Sequence, residues 1–214
     1  MQPDSIWGMI SQCKLPIIRR CVVISATCKN WRRKIIAKGR IKPLKQNARA
    51  TQKTDIMTRT VTVSDQNGTE ALAAKLAAVA RAGDVILMHG TLGMGKSAFC
   101  RAFIRAVVDN PHEEVPSPTF TLVQIYELDR VPVWHFDLYR LSDPEEVHEL
   151  DIEDAFSDAV SLIEWPDRLE YLTPENRLDI HIDPGSNPDG RVFKLEPHGD
   201  DWVTRINDLV VDPS

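Results

Sequence analysis

The strongest chemical signal in the chain is the run Gly90-Thr91-Leu92-Gly93-Met94-Gly95-Lys96-Ser97, which has the spacing of a phosphate-binding P-loop. Its glycines let the backbone turn tightly and bring N–H groups close to phosphate oxygens. In such a loop the lysine ammonium reaches the β- and γ-phosphates and the hydroxyl ligates Mg²⁺. The run, together with the adjoining Ala98, therefore predicts a site for a nucleoside triphosphate, and we expect ATP with Mg²⁺.

Two acidic residues stand at the ends of apolar segments and are candidates for completing this site. Asp137 follows Val133–Phe136, where a P-loop protein usually places a Mg²⁺-linked carboxylate; the alternative is an Asp that caps a turn. Glu164 follows the apolar Val160–Ile163, close to where an open α/β sheet binds its ligand. It is a candidate for positioning the attacking water and for contacting the metal with Ser97, or else a solvent-facing residue before Pro166.

Three further residues near these acids have open roles. Thr119, in the segment Ser117–Thr121, is a candidate sensor of the γ-phosphate by analogy with the mobile loops of GTPases; the alternative is an ordinary loop residue. We interpret His135 as a structural strand residue rather than a general base. Arg140 has two possible partners, a phosphate or Asp137.

The elements that must position these residues follow from the apolar pattern and the turn residues. They predict an α/β fold, with one P-loop NTPase domain over residues 57–214, a parallel core sheet with added antiparallel strands, and helices on both faces. The predicted elements are strand Thr60–Val63, helix 70–81 capped by Thr69, strand Asp84–His89, helix Lys96–Val108, strands Thr121–Leu128 and Val131–Phe136 joined by a tight Asp129-Arg130 turn, helix Pro144–Leu150, strand Val160–Ile163, strands Arg177–Ile182 and Arg191–Leu195, and helix Asp201–Val211.

The charge distribution divides the chain into a basic head and an acidic body. Residues 1–56 hold 13 Lys/Arg and 2 Asp/Glu, whereas the rest holds 13 and 29. Nucleic-acid binding requires a basic surface, so we expect any tRNA to be contacted only indirectly, through partner proteins. No run of about 18 apolar residues exists in the sequence, so no membrane span is expected.

The basic head, residues 1–56, has three possible interpretations. The first is a transit peptide, because the segment is basic and poor in acids. The second is a disordered RNA-binding arm, and the third is translated sequence upstream of a true start at Met57. We favour the last, because an ordinary first strand begins at Met57; the head is then a disordered or non-native extension. Four cysteines match no metal or disulfide pattern, so a reducing compartment is expected, with Cys100 a buried thiol.

Taken together, the P-loop, Ser-Pro-Thr-Phe-Thr (117–121), His-Phe-Asp-Leu-Tyr-Arg (135–140), Glu-Leu-Asp-Ile-Glu-Asp (149–154) and Ile-Glu-Trp-Pro (163–166) resemble the TsaE (YjeE-type) family. The resemblance implies a small cytoplasmic ATPase with weak intrinsic activity, needed for threonylcarbamoyladenosine in tRNAs that read ANN codons. It further implies that the TsaB–TsaD heterodimer is the partner on which ATP binding and hydrolysis act.

The resemblance also implies roles for individual residues. Lys96 and Ser97 become phosphate and Mg²⁺ ligands, Asp137 the Walker-B-like acid, Glu164 a residue needed for hydrolysis, Trp165 its neighbour in the site, and Thr119 a switch-like residue. The loop departs from the family's usual Gly-Asp-Leu-Gly-Ala-Gly-Lys-Thr-Thr at Thr91, Met94 and Ser97-Ala98. The hydroxyl of the metal ligand is kept. Two rival functions are a P-loop small-molecule kinase, which usually needs an Arg-rich lid, and a nucleotide-gated binding module with incidental hydrolysis.

Overall fold

The computed structural model of the chain describes residues 21–23 and 58–209. The rest of the predicted extension over residues 1–56 lies outside the described residues, as do the last residues of the predicted C-terminal helix. Among the described residues, no helix is both long enough and apolar enough to cross a membrane.

The described strands form one eight-stranded sheet in the order β1-β4-β5-β6-β3-β7-β8-β2. Its four central strands, β5, β6, β3 and β7, are mutually parallel, and the flanking strands pair antiparallel. The predicted parallel core with added antiparallel strands is therefore confirmed. The strands are β1 (Cys21–Val23), β2 (Arg59–Val63), β3 (Val85–His89), β4 (Val123–Tyr126), β5 (Val133–Asp137), β6 (Val160–Glu164), β7 (Arg177–Pro184) and β8 (Arg191–His198).

Helices cover both faces of this sheet, as predicted. On one face, β3 residues Ile86 and Met88 pack in a core with side chains of the long N-terminal helices; on the other, Val85 and Leu87 pack with side chains of shorter acidic helices. Alternation along a buried strand sends successive side chains to opposite cores. The helices are α1 (Gln66–Val79), α2 (Lys96–Val108), α3 (Glu145–His148), α4 (Ile152–Asp158) and α5 (Asp200–Asp208), with a 3₁₀ segment Pro166–Leu172.

The predicted start of the first helix is wrong by four residues. The helix α1 begins at Gln66 because Asp65 is the N-cap, with its Oδ1 accepting from the Gly68 N–H at 3.0 Å. Asp and Thr are both good capping residues, so the sequence alone gave no clear choice between them. Thr69 instead lies buried in the helix, where its hydroxyl donates to the Asp65 carbonyl.

The hairpin before the first site acid is correct in pairing and wrong in its turn. β4 and β5 pair antiparallel, with Val123 opposite Phe136 and Tyr126 opposite Val133, but the connection spans residues 127–132 rather than a tight Asp129-Arg130 turn. Strand β4 also starts later than predicted, after Leu122, whose backbone is left-handed at φ 67°. That conformation interrupts an extended run.

The acidic segment between the hairpin and β6 forms two short helices instead of the single helix predicted over Pro144–Leu150. α3 ends at His148, and α4 follows after the left-handed Asp151. Val147 and Ile152 are buried in the second core. Packing of these apolar residues, rather than a long helical period, sets both elements.

Candidate functional site

The P-loop connects the end of β3 to the start of α2, at the carboxyl edge of the parallel strands. Gly95 caps α2 with a left-handed φ of 104°, a conformation that glycine adopts without strain. At Gly90, a Cβ would lie 2.9 Å from the Ile182 carbonyl oxygen, so a side chain there would force the loop away from β7. The α2 N–H groups therefore face the cleft above the loop, where the helix favours anions.

The Lys96 side chain is held inside this loop. Its Nζ donates to the carbonyls of Gly90 at 2.8 Å and Thr91 at 3.0 Å, and it lies 3.7 Å from the centroid of a Trp165 ring. Its pKa is below the ordinary lysine value because burial disfavours the ammonium, although Glu164 raises it. The loop carbonyls and the indole thus hold the ammonium at the cleft.

Two hydroxyl–carboxylate pairs face each other across the cleft. Ser97 Oγ donates to Glu164 Oε2 at 2.8 Å, and Thr119 Oγ1 donates to Asp137 Oδ2 at 2.8 Å. The two acids lie opposite each other on β5 and β6. Four residues that are far apart in the sequence therefore present oxygen atoms to one space.

Both acids are buried, and neither is paired with a described lysine or arginine side chain. Asp137 is 4% exposed and Glu164 2% exposed, and among the described residues neither has a Lys or Arg nitrogen within 4.0 Å. Buried carboxylates are costly unless they are paired or coordinate a metal. The ammonium of Lys96 interacts electrostatically with both acids.

Glu164 also contacts a histidine beneath the cleft. His135 Nε2 lies 2.9 Å from Glu164 Oε1, and both side chains are almost fully buried. Cys100 is a free, fully buried thiol, as predicted. Ligand atoms of Cys100, His135 and Glu164 lie within 4.8 Å of one another. Burial raises the pKa of the Cys100 thiol well above its ordinary value, and Glu164 adds to that shift.

Trp165 lies at a strained backbone position beside the cleft. Its φ of 59° and ψ of 53° are left-handed, which is uncommon for a bulky residue and is found mostly where the surroundings hold it in place. Its ring packs against Tyr139 with centroids 4.8 Å apart. The turn places the indole over Lys96 before the chain enters the 3₁₀ segment.

These residues line one cleft of about 300 Å³. The predicted site residues are thus brought together by the fold, with three exceptions that do not line this cleft. Gly90 lies at the start of the loop against β7, Thr91 is exposed on the loop, and Met94 faces the opposite side of it. Arg140 contacts neither Asp137 nor another described acid; it lies exposed, 5.4 Å from the Phe120 ring centroid. The lining residues are Leu92, Gly93, Gly95, Lys96, Ser97, Ala98, Thr119, Asp137, Tyr139, Glu164 and Trp165.

A second cleft, of about 360 Å³, adjoins the P-loop on its other side and was not predicted. Asp65, Gln66 and Asn67 line it from the start of α1, and Arg191 lines it from β8, with Arg191 Nε donating to the Met94 carbonyl at 3.1 Å. Asn67 and Arg191 are 191 - 67 = 124 positions apart in the sequence. Only the pairing of β2 with β8 brings them together, so no local motif pointed to them.

A comparison with protein-family models matches residues 63–192 to "Threonylcarbamoyl adenosine biosynthesis protein TsaE". Among individual proteins, the chain is 34% identical over 120 residues to the tRNA threonylcarbamoyladenosine biosynthesis protein TsaE of Rickettsia bellii, covering 56% of this chain and 83% of that protein. It is 36% identical over 115 residues to the Bacillus subtilis protein of the same name, covering 53% and 70%.

Solved structures agree with this sequence relationship. The crystal structure of Bacillus subtilis YdiB superposes with a TM-score of 0.59 at 25% identity, covering 73% of this chain and 96% of YdiB. The matched family segment contains the P-loop, both hydroxyl–carboxylate pairs and Trp165. The chain therefore belongs to the TsaE family.

Proposed function

We propose that this protein is a Mg²⁺-dependent ATPase that supports N6-threonylcarbamoyladenosine modification of tRNA by acting on a TsaB–TsaD complex in the cytoplasm. The names of its relatives in Rickettsia and Bacillus supply the pathway. The observation that carries the ATPase is the convergence of Ser97–Glu164 and Thr119–Asp137 on the P-loop cleft.

The donor set fits Mg²⁺. Hydroxyl and carboxylate oxygens are the ligands that this hard cation takes, and Ser97, Asp137 and Glu164 offer such oxygens at one cleft. Within the described part of the chain the two buried carboxylates have no guanidinium or ammonium partner, so a divalent cation would relieve the cost of burying them. When bound, Mg²⁺ supplies positive charge to the β- and γ-phosphate oxygens.

The two clefts on either side of the P-loop divide the nucleotide between them. In this proposal Lys96 leaves the Gly90 and Thr91 carbonyls and donates to phosphate oxygens. The cleft lined by Asp65, Gln66 and Arg191 then receives the adenosine part. Gly93, Gly95, Ala98 and the rest of the loop contact the phosphates between the two clefts.

Glu164 is proposed to act on the attacking water. Its carboxylate lies at the end of β6, next to Ser97, and a carboxylate within hydrogen-bond reach of a water orients it toward the γ-phosphate. Thr119 is the proposed switch residue, since its hydroxyl already contacts the acid on β5. Transfer to water rather than to a small substrate is favoured because the chain between Asp137 and Glu164 packs into the second core as α3 and α4, whereas a kinase would need a lid there.

A protein partner fits the mouth of the cleft. Leu92 is 77% exposed at the tip of the P-loop and Phe120 is 85% exposed beside the switch residue, and large apolar side chains that flank a site mark contact surfaces. The acidic body argues against direct binding of tRNA. TsaB–TsaD is the partner that the family's pathway supplies.

Complementation with Lys96→Ala tests this proposal. In cells depleted of their own TsaE, the wild-type chain should restore threonylcarbamoyladenosine in tRNA, and Lys96→Ala should not, because a P-loop without its ammonium loses phosphate binding. Isothermal titration should show ATP binding by the wild-type protein and none by Lys96→Ala. Lys194→Ala is the control, since Lys194 is half-exposed and pairs with Asp183 on the sheet surface. Wild-type ATP affinity in Lys96→Ala, or failure of a folded wild-type chain to restore the modified nucleoside, would refute the proposed function.

A further inference from the structure

The side chain of Glu164 is held by two different hydrogen bonds. Oε2 accepts from the Ser97 hydroxyl at the cleft, and Oε1 is 2.9 Å from His135 Nε2 beneath it. His135 is two residues before Asp137 on β5, and alternation along the strand sends both side chains to the same face of the sheet. The histidine thus lies below the two acids, away from the cleft, and is 1% exposed.

The surroundings of His135 indicate which nitrogen carries its hydrogen. Nδ1 is fully buried and has no hydrogen-bond partner among the described residues. A donor left there would cost more than a bare lone pair, because buried N–H groups are almost always paired. This arrangement places the hydrogen on Nε2, which donates it to Glu164 Oε1.

The two bonds to Glu164 differ in what happens to them at the proposed nucleotide site. The Ser97 hydroxyl belongs to the P-loop's metal-binding set, so nucleotide binding competes for it. The His135 bond lies beneath the site and has no such competitor. Once Ser97 is withdrawn, His135 is the remaining side-chain hydrogen-bond partner that the described residues give Glu164.

From this geometry we propose that His135 is a positioning residue for hydrolysis, which holds Glu164 Oε1 so that Oε2 faces the water that attacks the γ-phosphate. The inference rests on the proposed ATPase function. The fold supports it because β5 and β6 are adjacent parallel strands, and their pairing fixes the distance between the two side chains. His135 touches neither nucleotide nor water, and its effect is carried entirely by the orientation of Glu164.

Three substitutions of His135 separate this role from packing. His135→Leu keeps a comparable apolar volume and removes the donor. His135→Gln places an amide N–H near the Nε2 position, whereas the shorter side chain of His135→Asn leaves its amide short of Glu164. Misplacing a reacting group by about 1 Å can cost roughly 100-fold in rate. We expect kcat for ATP hydrolysis to fall about 10- to 100-fold in the Leu and Asn variants and to stay within about threefold of wild type in Gln.

The measurements use the full chain with ATP, Mg²⁺ and the TsaB–TsaD partner. ATP affinity by titration and KM should stay within about twofold in all three variants, because His135 is not at the phosphate site. Thermal unfolding reports whether the Leu variant still folds. His148→Leu is the control, since His148 lies on α3, outside the cleft, and its side chain pairs with Glu153.

The outcomes distinguish this inference from the proposed function. Recovery of kcat in Gln together with its loss in Leu and Asn supports positioning. Wild-type kcat in the Leu or Asn variant, equal losses in Gln and Asn, or a loss confined to KM and ATP affinity would overturn it while leaving the ATPase intact. Absence of hydrolysis by the wild-type chain with its partner would overturn the ATPase and the role of His135 with it.

Discussion

Two buried carboxylates lie on either side of the central strand β3, and they differ in the side chains that surround them. Glu164 is on β6, next to Met88 of β3, and Asp179 is on β7, next to Leu87. Both are less than 10% exposed. Among the described residues, the side-chain hydrogen-bond partners of Glu164 are a hydroxyl and an imidazole, whereas Asp179 is surrounded by Arg177, His89 and His198.

The contacts of Asp179 compensate its charge. Arg177 Nε lies 3.1 Å and His198 Nε2 2.8 Å from Asp179 Oδ2, and His89 Nε2 lies 3.2 Å from Oδ1. Burial acts to raise the pKa of Asp179, but these donors outweigh it and the pKa lies below the ordinary aspartate value. A carboxylate that is already paired has little to offer a ligand, and Asp179 is a stabilising residue of the sheet.

Glu164 and its neighbour Asp137 have no such compensation from the described residues, and this difference sets the candidate site apart from Asp179. An unpaired buried carboxylate lowers stability and gives a protein a place for a cation. Glu164 and Asp179 lie on β6 and β7, the two strands that flank β3, and both are buried, so burial alone does not separate the two types of acid. The identity of their partners does.

The largest effect is expected for Glu164→Gln. This change keeps the shape and a carbonyl acceptor but removes the charge that acts on the water, so hydrolysis with the partner present should fall about 100-fold or more. ATP titration should remain within a few-fold of wild type. Asp179→Asn, the matched amidation on the compensated acid, should leave kcat within about threefold.

The same variant decides between two classes of function. If Glu164→Gln binds ATP, does not hydrolyse it and still supports full modification of tRNA in depleted cells, the protein is a nucleotide-gated binding module. Hydrolysis at the wild-type rate by this variant would remove Glu164 from the chemistry, and the contrast with Asp179 would lose its functional meaning.

The effects of the same two substitutions on the free energy of unfolding should be the reverse of their effects on hydrolysis. Asp179→Asn removes the charge that pairs with Arg177 and leaves one acceptor oxygen for the three donors from Arg177 and two histidines. The free energy of unfolding should therefore fall by about 2 kcal/mol. Glu164→Gln removes an uncompensated buried charge and should leave the free energy of unfolding unchanged or raise it by roughly 1 kcal/mol, as often happens at functional sites. Urea unfolding of both variants at neutral pH measures this. Equal destabilisation would show that the two acids are equivalent.

The sequence predicted the parts of the site that are local. The P-loop geometry is encoded within eight consecutive residues, and the acids Asp137 and Glu164 were found because each directly follows an apolar strand. Strand ends in a parallel sheet meet at one edge, so their convergence with the P-loop needed only the fold class. The pairing of Ser97 with Glu164 and of Thr119 with Asp137 needed the structure.

What could not be predicted depends on long-range register. His135 and Glu164 are 29 residues apart, and His89 and Asp179 are 90 apart, and no periodicity in either segment indicates which strand lies beside which. His135 was correctly interpreted as a strand residue, but its contact with Glu164 follows only from the pairing of β5 with β6. The second cleft could not be predicted for the same reason, because β2 and β8 come from opposite ends of the domain sequence and meet only through their pairing in the sheet.

The smallest predicted effect is a pH dependence that belongs to Asp179. Because its pKa is lowered in the folded protein, the unfolded chain binds this proton more readily. Its stabilising contribution is therefore fully present above the unfolded value near 3.8 and is lost as the pH falls through the lower folded pKa. The free energy of unfolding of the wild type should then drop more steeply between about pH 4.5 and 2.5 than that of Asp179→Asn. Asp183→Asn, which removes a half-exposed acid from the same strand, is the control and should keep the wild-type slope. Parallel curves for the wild type and Asp179→Asn would show that the cations around Asp179 do not compensate its charge, and the distinction from Glu164 would then have to rest on catalysis alone.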